Sequence, residues 1–415
     1  MTNHPRCRSR VVCRWAATHT MAHGVQFIVC NGDEQFGKEL RSSLLKFEGV
    51  KIVADVKEVA LLRQAVDQLS ADILLVNLDP TPESVLPVAG EISAAHPDLA
   101  VFAVSASNDS ELILTALRAG LREFLPRPID MKALSDAIER VASTLVESTP
   151  GGRLITVSGC SGGIGTTMLA TNLAVELGQM AEGRVTVVDL DYRFGQVATV
   201  LDLDPTYSLA DLCHSPEQLE QQVIDRALVK HSSGIYVLSR PLQLEQADSI
   251  TASACVGLLS SLLQYNEYVI TDGPSRFEGD AQAICDLADD RLLLVQLLVP
   301  SVRNALRAIQ AIKDTGSNLD RTKLVCNRLG RESGHLSMED VTETLGLKEF
   351  ATIPDDWSTV SGAINLGEPL LVHSPKSKVR STIHEMAERL HTANDGSDDN
   401  GADKKGLLGR IFAST

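Results

Sequence analysis

Short apolar runs alternate with longer segments whose apolar residues recur every three to four positions, from Val25 to about Leu390. Five such runs, Val25–Cys30, Val50–Val56, Ile73–Leu78, Ala100–Ser105 and Glu123–Leu125, each precede a helical pattern. Strands that alternate with helices in this way predict a parallel, doubly wound sheet. The periodicity breaks at Glu147-Ser148-Thr149-Pro150-Gly151-Gly152, whose turn-forming residues predict a linker over 147–152. A second series follows, with strands predicted near 153–158, 184–189, 234–239, 267–272, 291–297, 322–327 and 350–353. The expected fold class is therefore α/β, with two doubly wound parallel-sheet domains over 23–146 and 153–391.

Composition supports that division. A chain of 415 residues is long for a single core, and 44% hydrophobic content is enough for folded domains. The formal net charge of −16 repels a phosphate backbone, so bulk nucleic-acid binding is not expected. The eight cysteines are scattered, without a CxxC pair, and read as reduced thiols of a cytoplasmic protein. The longest apolar run, Leu292 to Pro300, is far shorter than the ~20 residues of a membrane span.

The ends differ from the middle. Residues 1–22 carry Arg6, Arg8, Arg10 and Arg14 with no acid. They read as a disordered extension or a targeting segment, and Met21 is an alternative start. Residues 392–415 are polar and acidic before a terminal Lys404-Lys405-Gly406-Leu407-Leu408-Gly409-Arg410-Ile411-Phe412. That peptide is either a frayed tail or a short amphipathic element for peripheral membrane contact or partner docking.

The chemistry concentrates after the first strand of the second series. Cys160-Ser161-Gly162-Gly163-Ile164-Gly165-Thr166-Thr167-Met168 lies between the apolar strand Leu154–Ser158 and a helix with Leu169, Leu173 and Leu177 on one face. Glycines in a strand-loop-helix setting let successive backbone N–H groups cradle phosphate oxygens. Ser161 to Met168 are therefore the candidate nucleotide-binding residues, and the Thr167 hydroxyl stands where a Mg²⁺ ligand is needed. Thr166 replaces the lysine that follows the last glycine of such loops and neutralises a transferred phosphoryl group. The sequence thus predicts an ATP and Mg²⁺ site that binds better than it cleaves, at most a weak ATPase. Cys160 is either a small filler of a glycine position or a thiol activated by the helix N-terminus.

Two further strands end in carboxylates, Val185-Thr186-Val187-Val188-Asp189-Leu190-Asp191 and Tyr268-Val269-Ile270-Thr271-Asp272. Ligands of open parallel sheets bind at the carboxyl ends of the strands. In chain order these segments resemble the ParA/MinD class of ATPases. The resemblance implies Asp189 and Asp272 as metal-side groups, Asp191 as the candidate for orienting attacking water, and adenine contacts at Asn327 and Pro354. It also implies a signature lysine reaching the partner subunit's nucleotide, at whose position this chain has Ser161.

The first unit resembles the response-regulator receiver (CheY-like) family. Asn77 stands where that family has its phosphorylated aspartate, Ser105 at its hydroxyl position, Arg127-Pro128 at its Lys-Pro, and Asn31-Gly32-Asp33 near its acidic pair. An amide cannot accept a phosphoryl group as a carboxylate does, so the resemblance implies a pseudo-receiver for docking or dimerisation. Asp79, two residues beyond the third strand, is the alternative acceptor.

The whole arrangement is similar to the CpaE/TadZ proteins of Tad (Flp, type IVb) pilus assembly. Gly162-Gly163-Ile164-Gly165-Thr166-Thr167, Val188-Asp189-Leu190-Asp191-Tyr192-Arg193-Phe194-Gly195, Val302-Arg303-Asn304-Ala305 and Ile353-Pro354-Asp355-Asp356 carry the likeness. It implies a cytoplasmic homodimer at a cell pole or the inner membrane, acting with the pilus secretion ATPase and inner-membrane platform proteins. The other functional reading is an active ParA/MinD-type ATPase that positions DNA or another cargo.

Overall fold

The computed structural model describes residues 25–47, 49–142, 152–214, 219–274, 280–315, 317–330 and 336–392. The basic extension 1–22, all but Gly152 of the linker 147–152, and the C-terminal peptide lie outside the described residues.

Two sheets form. The first contains β1 (Val25–Cys30), β2 (Val50–Val56), β3 (Ile73–Asn77), β4 (Ala100–Ser105) and β5 (Glu123–Pro126), all parallel, in the order β2-β1-β3-β4-β5. This is a doubly wound order, with the switch point between β1 and β3. The inner strands β3 and β4 are buried along their whole length, as helices on both faces require.

The second sheet contains β6 (Arg153–Gly159), β7 (Val185–Asp189), β8 (Val229–Lys230), β9 (Tyr236–Leu238), β10 (Tyr268–Asp272), β11 (Asp290–Val295), β12 (Thr322–Leu329) and β13 (Glu349–Pro354). Its order is β13-β12-β11-β6-β10-β7-β9-β8, so the glycine loop leaves a central strand. Only β8 runs antiparallel, at the edge. Its two residues are too short for a periodic signal, so the sequence reading has one strand at 234–239 where the structure has an edge hairpin. Among the described residues, no helix is long and apolar enough to cross a membrane. The apolar run from Leu292 ends β11 and turns at Leu298 into the helix Val299–Asp314. Arg303 and Arg307 lie on that helix's exposed face.

The two sheets do not stand apart on a tether. Helices Ala252–Tyr265 and Asp280–Leu287 of the second unit pack against β2 and helix Leu62–Gln68 of the first. One apolar cluster runs through both, taking in Val53, Val66 and Leu69 on one side and Val256, Leu259 and Leu262 on the other. Charge fixes the seam. Arg41 pairs with Asp286, whose side chain is 1% exposed, and also with Asp55 at 3.1 Å. Lys51 reaches Asp289 at 2.8 Å. Arg321 donates to the Val50 carbonyl (2.9 Å) and Asn318 to that of Leu45 (3.0 Å).

Burial raises the Asp286 carboxyl above its ordinary range, and the Arg41 guanidinium opposes that rise. Removing one partner of a buried pair strands the other, at a cost of about 3 kcal/mol or more. Asp286→Ala is therefore expected to lower the unfolding free energy by ~3 kcal/mol in urea titrations. A change below ~0.5 kcal/mol would show that the seam does not depend on this pair.

Candidate functional site

The phosphate loop joins β6 to the helix Thr166–Met180. Gly163 and Gly165 take positive φ angles of 70° and 102°, and Gly165 caps the helix. Among the described residues, the N–H groups of Gly162, Gly163 and Gly165 have no hydrogen-bond acceptor, and the space beside Gly162 and Gly163 is open. The loop carbonyls, by contrast, are held from below. Asn304 Nδ2 donates to the Cys160 carbonyl at 2.9 Å, and Asn327 Nδ2 to the Ile164 carbonyl at 2.7 Å. Donors facing outward with their carbonyls tied inward form a nest for anionic oxygen.

The metal side is equally defined. Thr167 Oγ1 donates to Asp272 Oδ2 at 2.6 Å, joining the first helical turn to the end of β10. Asp191 lies close enough for its charge to raise the Asp272 carboxyl. Burial is the larger cause, and it lifts Asp272 to about 6 against the opposing hydrogen bond from Thr167. A hydroxyl and a carboxylate are hard oxygen donors, which fit Mg²⁺ when phosphate oxygens and water complete its octahedron.

Asp189 has a different task. Its Oδ1 accepts the Asp191 N–H (3.2 Å) and its Oδ2 the Val197 N–H (3.1 Å), so both oxygens organise the loop after β7. Burial first, then the charge of Asp272, pushes it up to about 8. Gly195 closes over it, and a Cβ there would stand 2.0 Å from Asp189 Oδ1. Arg240 holds the same turn by donating to the Gly195 carbonyl at 2.7 Å. Asp191 meanwhile accepts the Phe194 N–H at 3.1 Å.

The remaining expected residues fall around this centre. Ser161 and Thr166 flank the glycines, and the Thr166 side chain lies near enough to Asp272 to oppose the rise of its carboxyl. Ile164 and Met168 bury their side chains in the core and offer only backbone to a ligand. Asn327, expected at adenine, has its amide committed at both ends, since its Oδ1 accepts the Arg328 N–H at 2.9 Å. It acts on the site through the loop. Pro354 ends β13 opposite Leu329, and the guanidinium of the preceding Arg328 lies 5.5 Å over the exposed ring of Trp357. Cys160 is not an activated thiol, because burial pushes it up to about 12. Asn304 and Arg240 were not singled out as supports from sequence, because what they do depends on neighbours remote in the chain, and Gly195 was read only within a family stretch although it closes over Asp189 six residues earlier.

Two expected outcomes test the electrostatics and packing. In metal-free, nucleotide-free protein, Asp272 has a folded pKa near 6 and an ordinary unfolded one, so the stability it contributes is full below about pH 4 and lost by about pH 6. Asp272→Asn does not titrate, so urea midpoints should move in the variant's favour between pH 4 and 6 and stay parallel above 7. A constant difference throughout would refute this assignment. Gly195→Ala should cost roughly 2 to 4 kcal/mol by the same measurement, because the methyl displaces the Asp189 carboxylate.

No family model matches the chain. It is 22% identical over 245 residues to the septum site-determining protein MinD of Thermotoga maritima, covering 58% of this chain and 88% of that relative. The fold is similar to a ParA family ATPase from Chlorobium tepidum, with TM-score 0.55 and 20% identity over 58% of this chain and 99% of that one. It is also similar to MinD of Pyrococcus horikoshii, solved with Mg-ADP, with TM-score 0.52 and 21% identity over 58% and 97%. More than half of the chain thus carries a ParA/MinD-like P-loop fold.

Proposed function

We propose that the protein is a nucleotide-binding localisation and scaffolding factor, in which Mg·ATP favours a homodimer and is hydrolysed slowly or not at all. The observation that carries this reading is the composition of the loop. Its glycine N–H groups are free to take phosphate oxygens and Thr167 meets Asp272, yet Ser161 and Thr166 stand where cations would be. Losing one charge-assisted contact removes on the order of 1.5 to 3 kcal/mol of binding, which several N–H donors and a metal offset. Turnover suffers more, since a missing donor to transition-state charge typically lowers rate by about 10² to 10³. Thr167 and Asp272 would hold Mg²⁺, with Asp189 keeping the neighbouring loop in place and Asp191 the candidate for orienting water.

The likeness to CpaE/TadZ proteins supports the cellular part. On that reading the chain works in the cytoplasm, at a cell pole or against the inner membrane. It recruits the secretion ATPase and inner-membrane platform proteins of a Tad/Flp pilus. The unit over 23–146 serves as a pseudo-receiver that docks and is not phosphorylated, while 153–391 holds the nucleotide. The strand order β2-β1-β3-β4-β5 and the amide at Asn77 support that assignment. The MinD and ParA relatives favour one other reading, an active ATPase that positions a cargo.

Sedimentation velocity with and without Mg·ATP, paired with phosphate release, separates the two. Nucleotide-dependent dimers with negligible release are expected. Brisk release would install the active ATPase instead, and an ATP-indifferent monomer would remove the switch. A small phosphodonor should leave the intact mass unchanged, and a stable adduct on Asp79 would end the pseudo-receiver reading.

A further inference from the structure

At the carboxyl edge of the first sheet, one carboxylate sits in a cup of donors contributed by two other strands. Asp79, just past the end of β3, turns its side chain back over the sheet. Its Oδ1 accepts the Ser105 hydroxyl at 2.7 Å and its Oδ2 the Ala106 N–H at 2.7 Å. The guanidinium of Arg127, just after β5, stands 3.5 Å from the same Oδ2. Each donor is itself held in place. Ser105 is fully buried and its oxygen accepts the Ser107 N–H at 3.0 Å. Arg127 lies 3.6 Å over the Phe36 ring, and its other nitrogen is 3.7 Å from Asp33.

Asp33 meets only the outer side of the Arg127 guanidinium. It caps the helix Glu34–Leu44 by accepting the N–H groups of Gln35 and Phe36. Asn77 does not enter the cup, because its Nδ2 donates to Asn31 and its Oδ1 accepts the Asp79 N–H. A hydroxyl, a main-chain N–H and a guanidinium converging on two oxygens is the donor set that binds phosphate-class oxyanions. Here the chain supplies the anion itself.

We propose that Asp79 is the built-in anion of an oxyanion cup formed by Ser105, Ala106 and Arg127, so that this edge is set permanently without an added phosphoryl group. With both oxygens engaged, the carboxylate cross-links the ends of β3, β4 and β5 and closes the cup to external anions. The inference deepens the docking reading of the first unit and rests on it for its purpose. Its geometry is independent of the nucleotide site.

Removing the carboxylate should uncover the cup. Full-length wild type and Asp79→Ala are melted in chloride and in inorganic phosphate at matched ionic strength. The glycine loop also takes phosphate, but both proteins share it, so the difference between them reports on the cup. Asp79→Ala should melt lower in chloride and regain stability saturably with phosphate, with an apparent affinity at least about tenfold tighter than any response of wild type. Adding Arg127→Ala to that background should abolish the recovery. Should Asp79→Ala fail to fold, Asp79→Asn keeps the shape and loses the charge, and phosphorus-31 line broadening of free phosphate then reads the same site. Equal phosphate responses in wild type and variant, or recovery that survives Arg127→Ala, would overturn the proposal. An Asp79 phospho-adduct in wild type would overturn it as well and sink the docking reading with it, whereas the phosphate responses bear on the cup alone.

Discussion

Two side-chain amides hold the phosphate loop, and the site depends on them. Asn304 and Asn327 take the carbonyls of Cys160 and Ile164, which fixes the peptide planes between and leaves the glycine N–H groups pointing away from the core. A loop with lysines can compensate for imprecise backbone with charge. This one has none at those positions, so its electrostatics come from peptide dipoles, which act only when oriented. A buried carbonyl stripped of its amide donor costs about 1 to 3 kcal/mol, comparable to what a lysine would have added to binding.

The carboxylates divide labour in the same economical way. Asp272 meets Thr167 at the start of the helix, while Asp189 gives both oxygens to backbone N–H groups and carries Gly195 against it. The charge of Asp272 raises the cost of ionising Asp189, and that of Asp191 raises the cost for Asp272, in a buried setting that favours a bound cation as the neutralising partner. Gly273 takes φ +103° and returns its N–H to the Val157 carbonyl at 2.8 Å. The end of β10 is thereby tied back to the strand that carries the loop.

Much of the fold was legible because it rests on local periodicity. The five strands of the first sheet were placed nearly to the residue, and in the second only the edge strand β8 escaped. The glycine loop and the acidic strand ends were legible too, since main-chain cradles need glycine at close spacing. What the sequence could not show were contacts made across the sheet. Asn327 looks like a ligand contact until its partner at Ile164, more than 160 residues away, is seen. Asp79 looked displaced by two residues from a useful position. Its side chain reaches back to Ser105 across a turn that no periodicity encodes. The linker reading likewise said nothing of how the two units meet, because a seam of long-range ion pairs leaves no mark on composition.

That seam gives the two units a shared structural element. Asp289 accepts Lys51 from the first sheet and, with the same Oδ2, the N–H of Leu154 at the start of β6, at 2.8 Å each. Its own N–H returns to the Leu154 carbonyl at 2.9 Å. The strand that delivers the phosphate loop is therefore anchored at its far end by a residue that also grips the first unit. Three residues earlier, Asp286 holds Arg41 in a setting that is almost wholly buried. Buried ion pairs add little net stability over apolar packing, but they tolerate only one registry. Their value here is orientation: they fix one unit against the other while the apolar cluster supplies the adhesion. The carboxyl edges of both sheets, one closed by Asp79 and the other open at Gly162 to Thr167, are thus held in a single geometry.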